Sequence, residues 1–340
     1  MSAPLSPRVP VTVLTGFLGA GKTTLVRSLL ERANGRRIAV IVNEFGDIGF
    51  DGSLIEDCAA GACRPGDIVE LTNGCICCTV ADDFIPTMDL LLGRDRPLDA
   101  IVIETSGLAL PQPLLKAFDW PSVRTRATVD GVVTVVDATA FAEGRVALHT
   151  DEVPHDPART HDDPVEEVFE DQLRCADLVV LSKADLVSPE TLAAIEADLA
   201  RDIRPGVRIV RSREADLSPS VLIGLAAAAE DDQGPRAGHH DAEEEHDHDD
   251  FDSFVLAPAS APDLEAVRRR VQAALEVPGV LRVKGYAAVD GKQAALAVQG
   301  VGQRVELAFA RPGAVASRPA LVVIGLKEMD RAAVEAALAG

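Results

Sequence analysis

The sequence predicts an α/β fold, a mainly parallel sheet covered by helices, followed by a small C-terminal α+β domain. Three observations predict it. Short apolar runs alternate with helical segments over residues 9–229, the pattern of a parallel sheet buried on both faces. The first run, Val9–Thr15, passes into a glycine-rich turn and then a helix. A polar acidic tract, Glu230–Asp250, separates this region from a second set of strands and helices at residues 251–340.

The elements follow in order. Val9–Thr15 reads as a buried strand and Leu25–Arg32 as the helix after it. Between them Gly16-Phe17-Leu18-Gly19-Ala20-Gly21-Lys22-Thr23 fits G-x-x-x-x-G-K-[ST], the phosphate-binding loop of P-loop NTPases. Gly16 and Gly21 permit backbone angles that aim N–H groups at phosphates. Gly19 and Ala20 lie within the same loop and Thr24 follows it directly. Lys22 supplies a charge to the outer phosphates, the Thr23 hydroxyl can take a position on magnesium, and the helix dipole faces the anion. Arg37–Asn43, Asp67–Leu71, Ala100–Glu104, Gly131–Val136, Asp177–Leu181 and Val207–Val210 read as the remaining strands. Asp82–Leu92, Pro189–Leu199 and Pro219–Ala229 read as helices, the last with Ser218 placed to cap it. Residues 230–250 form an acidic His-rich linker without apolar periodicity. Beyond it, Phe251–Ala257, Val280–Asp290, Gln293–Val298, Arg304–Ala310 and Leu321–Ile324 read as strands, with a hairpin turn at Asp290-Gly291. Asp263–Leu275 and Asp330–Leu338 read as helices.

Composition limits the function. The formal charge is −21, of which Glu230–Asp252 contributes −10 and Asp151–Asp171 contributes −8. Such a surface repels nucleic acid. No apolar run approaches the roughly 18 residues of a membrane span, and the N-terminus lacks the apolar stretch of a signal peptide. A cytoplasmic protein is expected, in which the six cysteines stay reduced.

Cys75, Cys77 and Cys78, half of those cysteines, fall within four residues. Thiolates suit zinc, copper(I) and cobalt(II) far better than magnesium. Glu44, at a strand end, can add a carboxylate. Small buried hydrophobes and a redox switch are the alternatives. Cys58, Cys63 and Cys175 lack the clustering and read as structural. His239, His240, His246 and His248 stand among carboxylates in the linker. They suit weak accessory binding of divalent cations or a solvated spacer. Glu104-Thr105-Ser106-Gly107 follows its strand as a second phosphate-side element would, Glu104 toward magnesium and the Gly107 N–H toward the γ-phosphate. Ser182-Lys183-Ala184-Asp185 is similar to the guanine motif N-K-x-D, with Ser182 in place of Asn. Asp185 would accept from guanine N1–H and the exocyclic amine, while Lys183 lies along the base.

With these residues in hand, the chain resembles the CobW family of metal-handling P-loop GTPases. The resemblance rests on GFLGAGKTTL, NEFGDIG, NGCICC, ETSGLA and the modified SKAD. ETSGLALPQPLLKAF, VDGVVTVVDA and HDDPVEEVFEDQL draw it toward the branch of aerobic cobalamin synthesis. It implies a P-loop GTPase domain at 1–229, a linker at 230–250 and a CobW-type C-terminal domain at 251–340. It implies a slow GTP hydrolase with Lys22, Thr23 and Glu104 at the catalytic centre, and GTP, magnesium and cobalt(II) or zinc as cofactors. The implied metal ligands are Cys77 and Cys78 with Glu44, and Cys75 is a further candidate. The expected role is delivery of cobalt to a client, the cobaltochelatase. The alternatives are a zinc chaperone of the same family, a metabolite kinase and a metal-sequestering protein.

Overall fold

The computed structural model describes residues 8–43, 68–71, 84–144, 164–213, 215–232, 234–236, 251–301, 304–309 and 319–340. They fall into two compact units, divided between residues 236 and 251.

The strands of the first unit are β1 (Val9–Thr15), β2 (Ile38–Asn43), β3 (Ile68–Leu71), β4 (Ala100–Glu104), β5 (Ala127–Asp137), β6 (Leu178–Ser182) and β7 (Arg208–Arg211). They form one sheet in the order β3-β2-β4-β1-β5-β6-β7, and every pairing is parallel. The helices are α1 (Lys22–Glu31), α2 (Ile85–Leu92), α3 (Pro111–Ala117), α4 (Pro121–Arg124), α5 (Ala138–Ala142), α6 (Pro164–Cys175), α7 (Pro189–Asp202) and α8 (Pro219–Leu222). The aliphatic runs become strands because both of their faces are covered. Val11, Val13, Ile41, Ile101, Ile103 and Val129 pack with Phe84, Met88, Leu114, Leu115 and Phe118 in one core. Each such side chain contributes about 1.5–3 kcal/mol when fully buried. The sheet also has a topological switch: β1 sits between β4 and β5. Ligands of open parallel sheets bind in that crevice, beyond the strands' carboxyl ends.

Three sequence expectations change here. The helix expected at Pro219–Ala229 stops at Leu222, and Ser218 makes no side-chain cap bond. Its continuation is taken by Asp130, whose carboxylate accepts from the N–H groups of Gly224, Leu225 and Ala226. Ala226 and Ala228 accordingly adopt left-handed backbone angles. The fifth strand starts at Ala127 instead of Gly131: the polar side chains of Thr128 and Asp130 interrupt the apolar run in sequence, but Glu230 and the Leu225 N–H, distant in the chain, satisfy them. Finally, the first residues read as linker pack on this unit. Glu230 is buried and accepts from Arg8, Thr128 and the Val129 N–H. Arg236 is buried too, donating to the Cys175 carbonyl and to Asp177.

The second unit contains β8 (Phe251–Leu256), α9 (Leu264–Leu275), β9 (Val280–Ala287), β10 (Leu296–Val301), β11 (Arg304–Phe309), β12 (Ala320–Leu326) and α10 (Arg331–Ala339). Its sheet runs β11-β10-β9-β12-β8 and is antiparallel throughout. Asp263 and Asp330 cap the two helices by accepting from Ala266 and Ala333 N–H. Val267, Val271, Val334 and Leu338 of those helices pack on Val283, Val298 and Val323. β9 and β10 pair as expected, but from Ala287 and Leu296, so their connection is longer than a two-residue hairpin. The turn at Asp290-Gly291 exists within it, closed by Lys292 N–H on the Val289 carbonyl. Asp290 N–H and the Ala288 carbonyl are diverted to Ala261. No helix among the described residues is long and apolar enough to cross a membrane.

Candidate functional site

The carboxyl ends of β1, β4, β5 and β6 carry the chemistry. After Thr15 the chain turns sharply over β5. Gly16 has φ 132°, and a Cβ there would lie 2.2 Å from the Val135 carbonyl oxygen. Only glycine allows that approach. Gly19 and Gly21 are left-handed at φ 74° and 97°, and Gly21 is the residue from which α1 starts. Helix α1 begins at Lys22, three residues earlier than apolar periodicity suggests, so its free N–H groups point into the loop. Lys22 is buried, and its Nζ donates to the Gly16 carbonyl at 2.6 Å and the Phe17 carbonyl at 3.2 Å. The ammonium thus sits inside the ring of the loop. Ala20 is buried, while Thr24 is exposed on the first turn of α1.

The loop is tied to the end of β4. Thr23 Oγ1 donates to Glu104 Oε1 at 2.7 Å, and Glu104 is only 3 % exposed. A hydroxyl and a carboxylate side by side are the oxygen donors that a hard divalent cation takes. Thr105 N–H donates to the Leu14 carbonyl, and its hydroxyl meets that of Thr15 at 3.0 Å. Gly107 packs against the phosphate loop itself: a Cβ there would lie 2.5 Å from Leu18 Cδ2 and 2.8 Å from Leu18 N. From beneath, Gln172 of α6, fully buried, donates its side-chain amide to the carbonyls of Gly107 and Ala109.

The ends of β5 and β6 complete the site. The Ser182 hydroxyl lies 2.7 Å from the Ala20 carbonyl oxygen and 3.1 Å from that of Val136. Lys183 Nζ donates to the Gly19 carbonyl at 3.0 Å and to Asp137 Oδ2 at 2.7 Å. Burial opposes charge on Asp137, yet the Lys183 ammonium, the Thr139 hydroxyl and the Ala140 N–H together hold its carboxyl below the ordinary carboxylate value. Ala184 N–H donates to the Ser212 carbonyl just past β7. Asp185 follows in an exposed single turn, its carboxylate open to solvent.

The described structure therefore gathers Gly16, Gly19, Ala20, Gly21, Lys22, Thr23, Thr24, Glu104, Gly107, Lys183 and Asp185 at one edge of the sheet. The sequence reading assigned no role to Asp137, Gln172 or Ser212. An Asp-x-Thr cap pattern after a buried strand was the available signal for Asp137; Gln172 and Ser212 carry none. Cys175 is buried with its Sγ 3.7 Å from the Arg236 carbonyl, a structural position. Glu44, Cys58, Cys63, Cys75, Cys77, Cys78, His239, His240, His246 and His248 lie outside the described residues. Among the described residues no group of three or more His, Cys, Asp or Glu side chains is arranged to hold a metal ion.

The sequence matches the CobW/HypB/UreG nucleotide-binding domain over residues 10–211. The chain belongs to the CobW/HypB/UreG family. Residues 251–340 match the family's second module, the cobalamin synthesis protein cobW C-terminal domain. The zinc chaperone CobW of Sinorhizobium sp. is 49% identical over 341 residues, covering 97% of this chain and 96% of the relative. The zinc chaperone CobW of Pseudomonas aeruginosa is 47% identical over 343 residues, covering 96% and 90%. The zinc-regulated GTPase metalloprotein activator 1 of Schizosaccharomyces pombe is 39% identical over 196 residues, covering 57% of this chain and 43% of that one. As a CobW-family P-loop protein the chain is a GTP hydrolase, and its phosphate loop is that of the matched domain.

Proposed function

We propose that this chain is a GTP-dependent metal chaperone that binds zinc through Cys77, Cys78 and Glu44, with Cys75 close by, and hands it to a client protein. Lys22 and the N–H groups of Gly19–Thr24 bind the phosphates, Thr23 and Glu104 hold magnesium, and Asp185 reads guanine. Magnesium there would offset charge on the outer phosphates. Lys22 turns from its loop carbonyls to the same oxygens, and Gly107 offers its N–H to the terminal one.

The observation that carries the reading is topological. The chain leaves β2 at Asn43 and β3 at Leu71, on the sheet edge that holds the phosphate loop. Glu44 is the next residue after Asn43, and Cys75 follows Leu71 within about 14 Å of chain reach. The candidate metal ligands therefore leave from the nucleotide edge. Segments so placed in GTPases order around the γ-phosphate and loosen after hydrolysis. The names of the two full-length relatives support zinc as cargo, and thiolate chemistry agrees. A second reading is delivery of cobalt to the cobaltochelatase; the name of the matched C-terminal domain favours it. Against it, zinc outcompetes cobalt at most thiolate sites.

The test is replacement of Cys77 and Cys78 by Ser together. The account expects loss of tight zinc binding and of the sulfur-to-metal charge-transfer band of the cobalt(II)-loaded protein, with GTP binding retained. Tight zinc binding that survives the double replacement would reject the thiolate site.

A further inference from the structure

Asp185 is exposed, and its position depends on the residues before it. Lys183 stands at φ 55°, ψ 29°, a left-handed angle uncommon outside glycine. Such strain persists where the surroundings fix it. The Lys183 side chain is held by the Gly19 carbonyl and Asp137 Oδ2, and its backbone by Leu186 N–H on the Lys183 carbonyl and Ala184 N–H on the Ser212 carbonyl. The side chain of Asp137 is 7 % exposed and that of Lys183 is 26 % exposed, so the ion pair is substantially shielded from water. Asp137 divides its two oxygens. Oδ1 accepts from Thr139 N–H, the Thr139 hydroxyl and Ala140 N–H, which anchors the carboxylate at the start of α5. Oδ2 is aimed at Lys183. The Ser182 hydroxyl, against the Ala20 and Val136 carbonyls, closes the same junction from the other side.

We infer that Asp137 is a positioning residue for base recognition: through Lys183 it sets the left-handed turn that presents Asp185 to guanine. This rests on the reading of Asp185 as the guanine acceptor. The Ser182 hydroxyl fills its slot between the phosphate loop and β5, so the weight of base placement falls on the Asp137–Lys183 pair. The substitution of choice is Asp137→Asn. It keeps an oxygen for the α5 cap and puts a neutral amide in front of the Lys183 ammonium.

The experiment measures dissociation constants of GDP and IDP, which lacks the exocyclic amine that Asp185 would accept from. Asp137→Asn should weaken GDP by about tenfold, the low end for a hydrogen bond to a charged group. IDP should weaken less, so that the GDP/IDP preference falls. In a Lys183→Met background, Asp137→Asn should change the preference no further, since its effect passes through Lys183. Because the readout is a ratio within one folded protein, a loss of stability alone does not move it. An unchanged ratio in Asp137→Asn, with Asp185→Asn abolishing the preference, overturns this inference and leaves Asp137 a helix cap. If Asp185→Asn also leaves the ratio unchanged, the guanine reading itself fails.

Discussion

Gly107→Ala tests whether the loop after β4 and the phosphate loop form one packed unit. Gly107 has an ordinary backbone angle, so the effect is steric alone. The new Cβ would meet Leu18 Cδ2 at 2.5 Å, Leu18 N at 2.8 Å and Leu18 Cγ at 2.9 Å. Leu18 is 5 % exposed, so its side chain has little room to withdraw, and the nitrogen belongs to the phosphate loop itself. Retreat of Gly107 is opposed by Gln172, which holds the Gly107 and Ala109 carbonyls from below. Overpacking of this kind costs about 1–3 kcal/mol. At about 2–4 °C per kcal/mol for a domain of this size, the melting temperature should fall by roughly 2–12 °C. GTP turnover should fall with it, because the N–H proposed to serve the γ-phosphate would be displaced. Thermal unfolding followed by circular dichroism, with phosphate release assayed on the same sample, gives both quantities. A melting temperature and turnover equal to those of the wild type would show that the two loops move apart freely, and would refute the packing argument.

Lys22→Ala removes the ammonium held by the Gly16 and Phe17 carbonyls of the phosphate loop and should lower GTP turnover by about 10²–10³-fold, as loss of a preorganised charge does; phosphate release equal to the wild type would dismiss its role. Asp137 has a lowered carboxyl pKa, so its contribution to stability is present above the unfolded value, about 3.9, and is lost as pH falls through the lower folded value. The stability difference between wild type and Asp137→Asn should therefore hold constant from about pH 8 to 5 and shrink only below about pH 4; denaturant titrations across that range decide it. Deleting residues 238–250 should leave one tight zinc site and remove only weak additional binding, because unstructured ligands lose ordering entropy on binding; calorimetric loss of the tight site would relocate it to the His-rich tract.

The sheet was legible because its strands are short aliphatic runs that end on residues with chemical meaning. Val9–Thr15 leads to the phosphate loop, Ala100–Glu104 to Gly107, and Leu178–Ser182 to Asp185. What stayed hidden depends on partners far away in sequence. Pro219–Ala229 looks like a capped helix, but Asp130 competes for its N–H groups and wins after one turn. Glu230 and Arg236 look like the start of a charged linker, yet both are buried and pair with Arg8 and Asp177. Composition over a window registers their charge without those partners. At the site, the residues that would touch nucleotide were legible from motifs. The residues that position them, Asp137 and Gln172, were not, since an Asp at a strand end and a Gln in a helix are common. The pairing that gives each a role forms only when the strand ends and α6 come together.

The measurement that bears most directly on the central claim is the zinc dissociation constant of the full chain in the two nucleotide states. It is obtained by competition with a chromophoric chelator, in magnesium with a non-hydrolysable GTP analogue and again with GDP. If the γ-phosphate organises Glu44 and Cys75–Cys78, zinc should bind roughly 5–150-fold more tightly in the GTP-like state, the span of a 1–3 kcal/mol coupling. Zinc should in turn tighten the GTP analogue by the same factor. Equal zinc affinity in both states would contradict the account, leaving a GTPase whose nucleotide does not govern its metal.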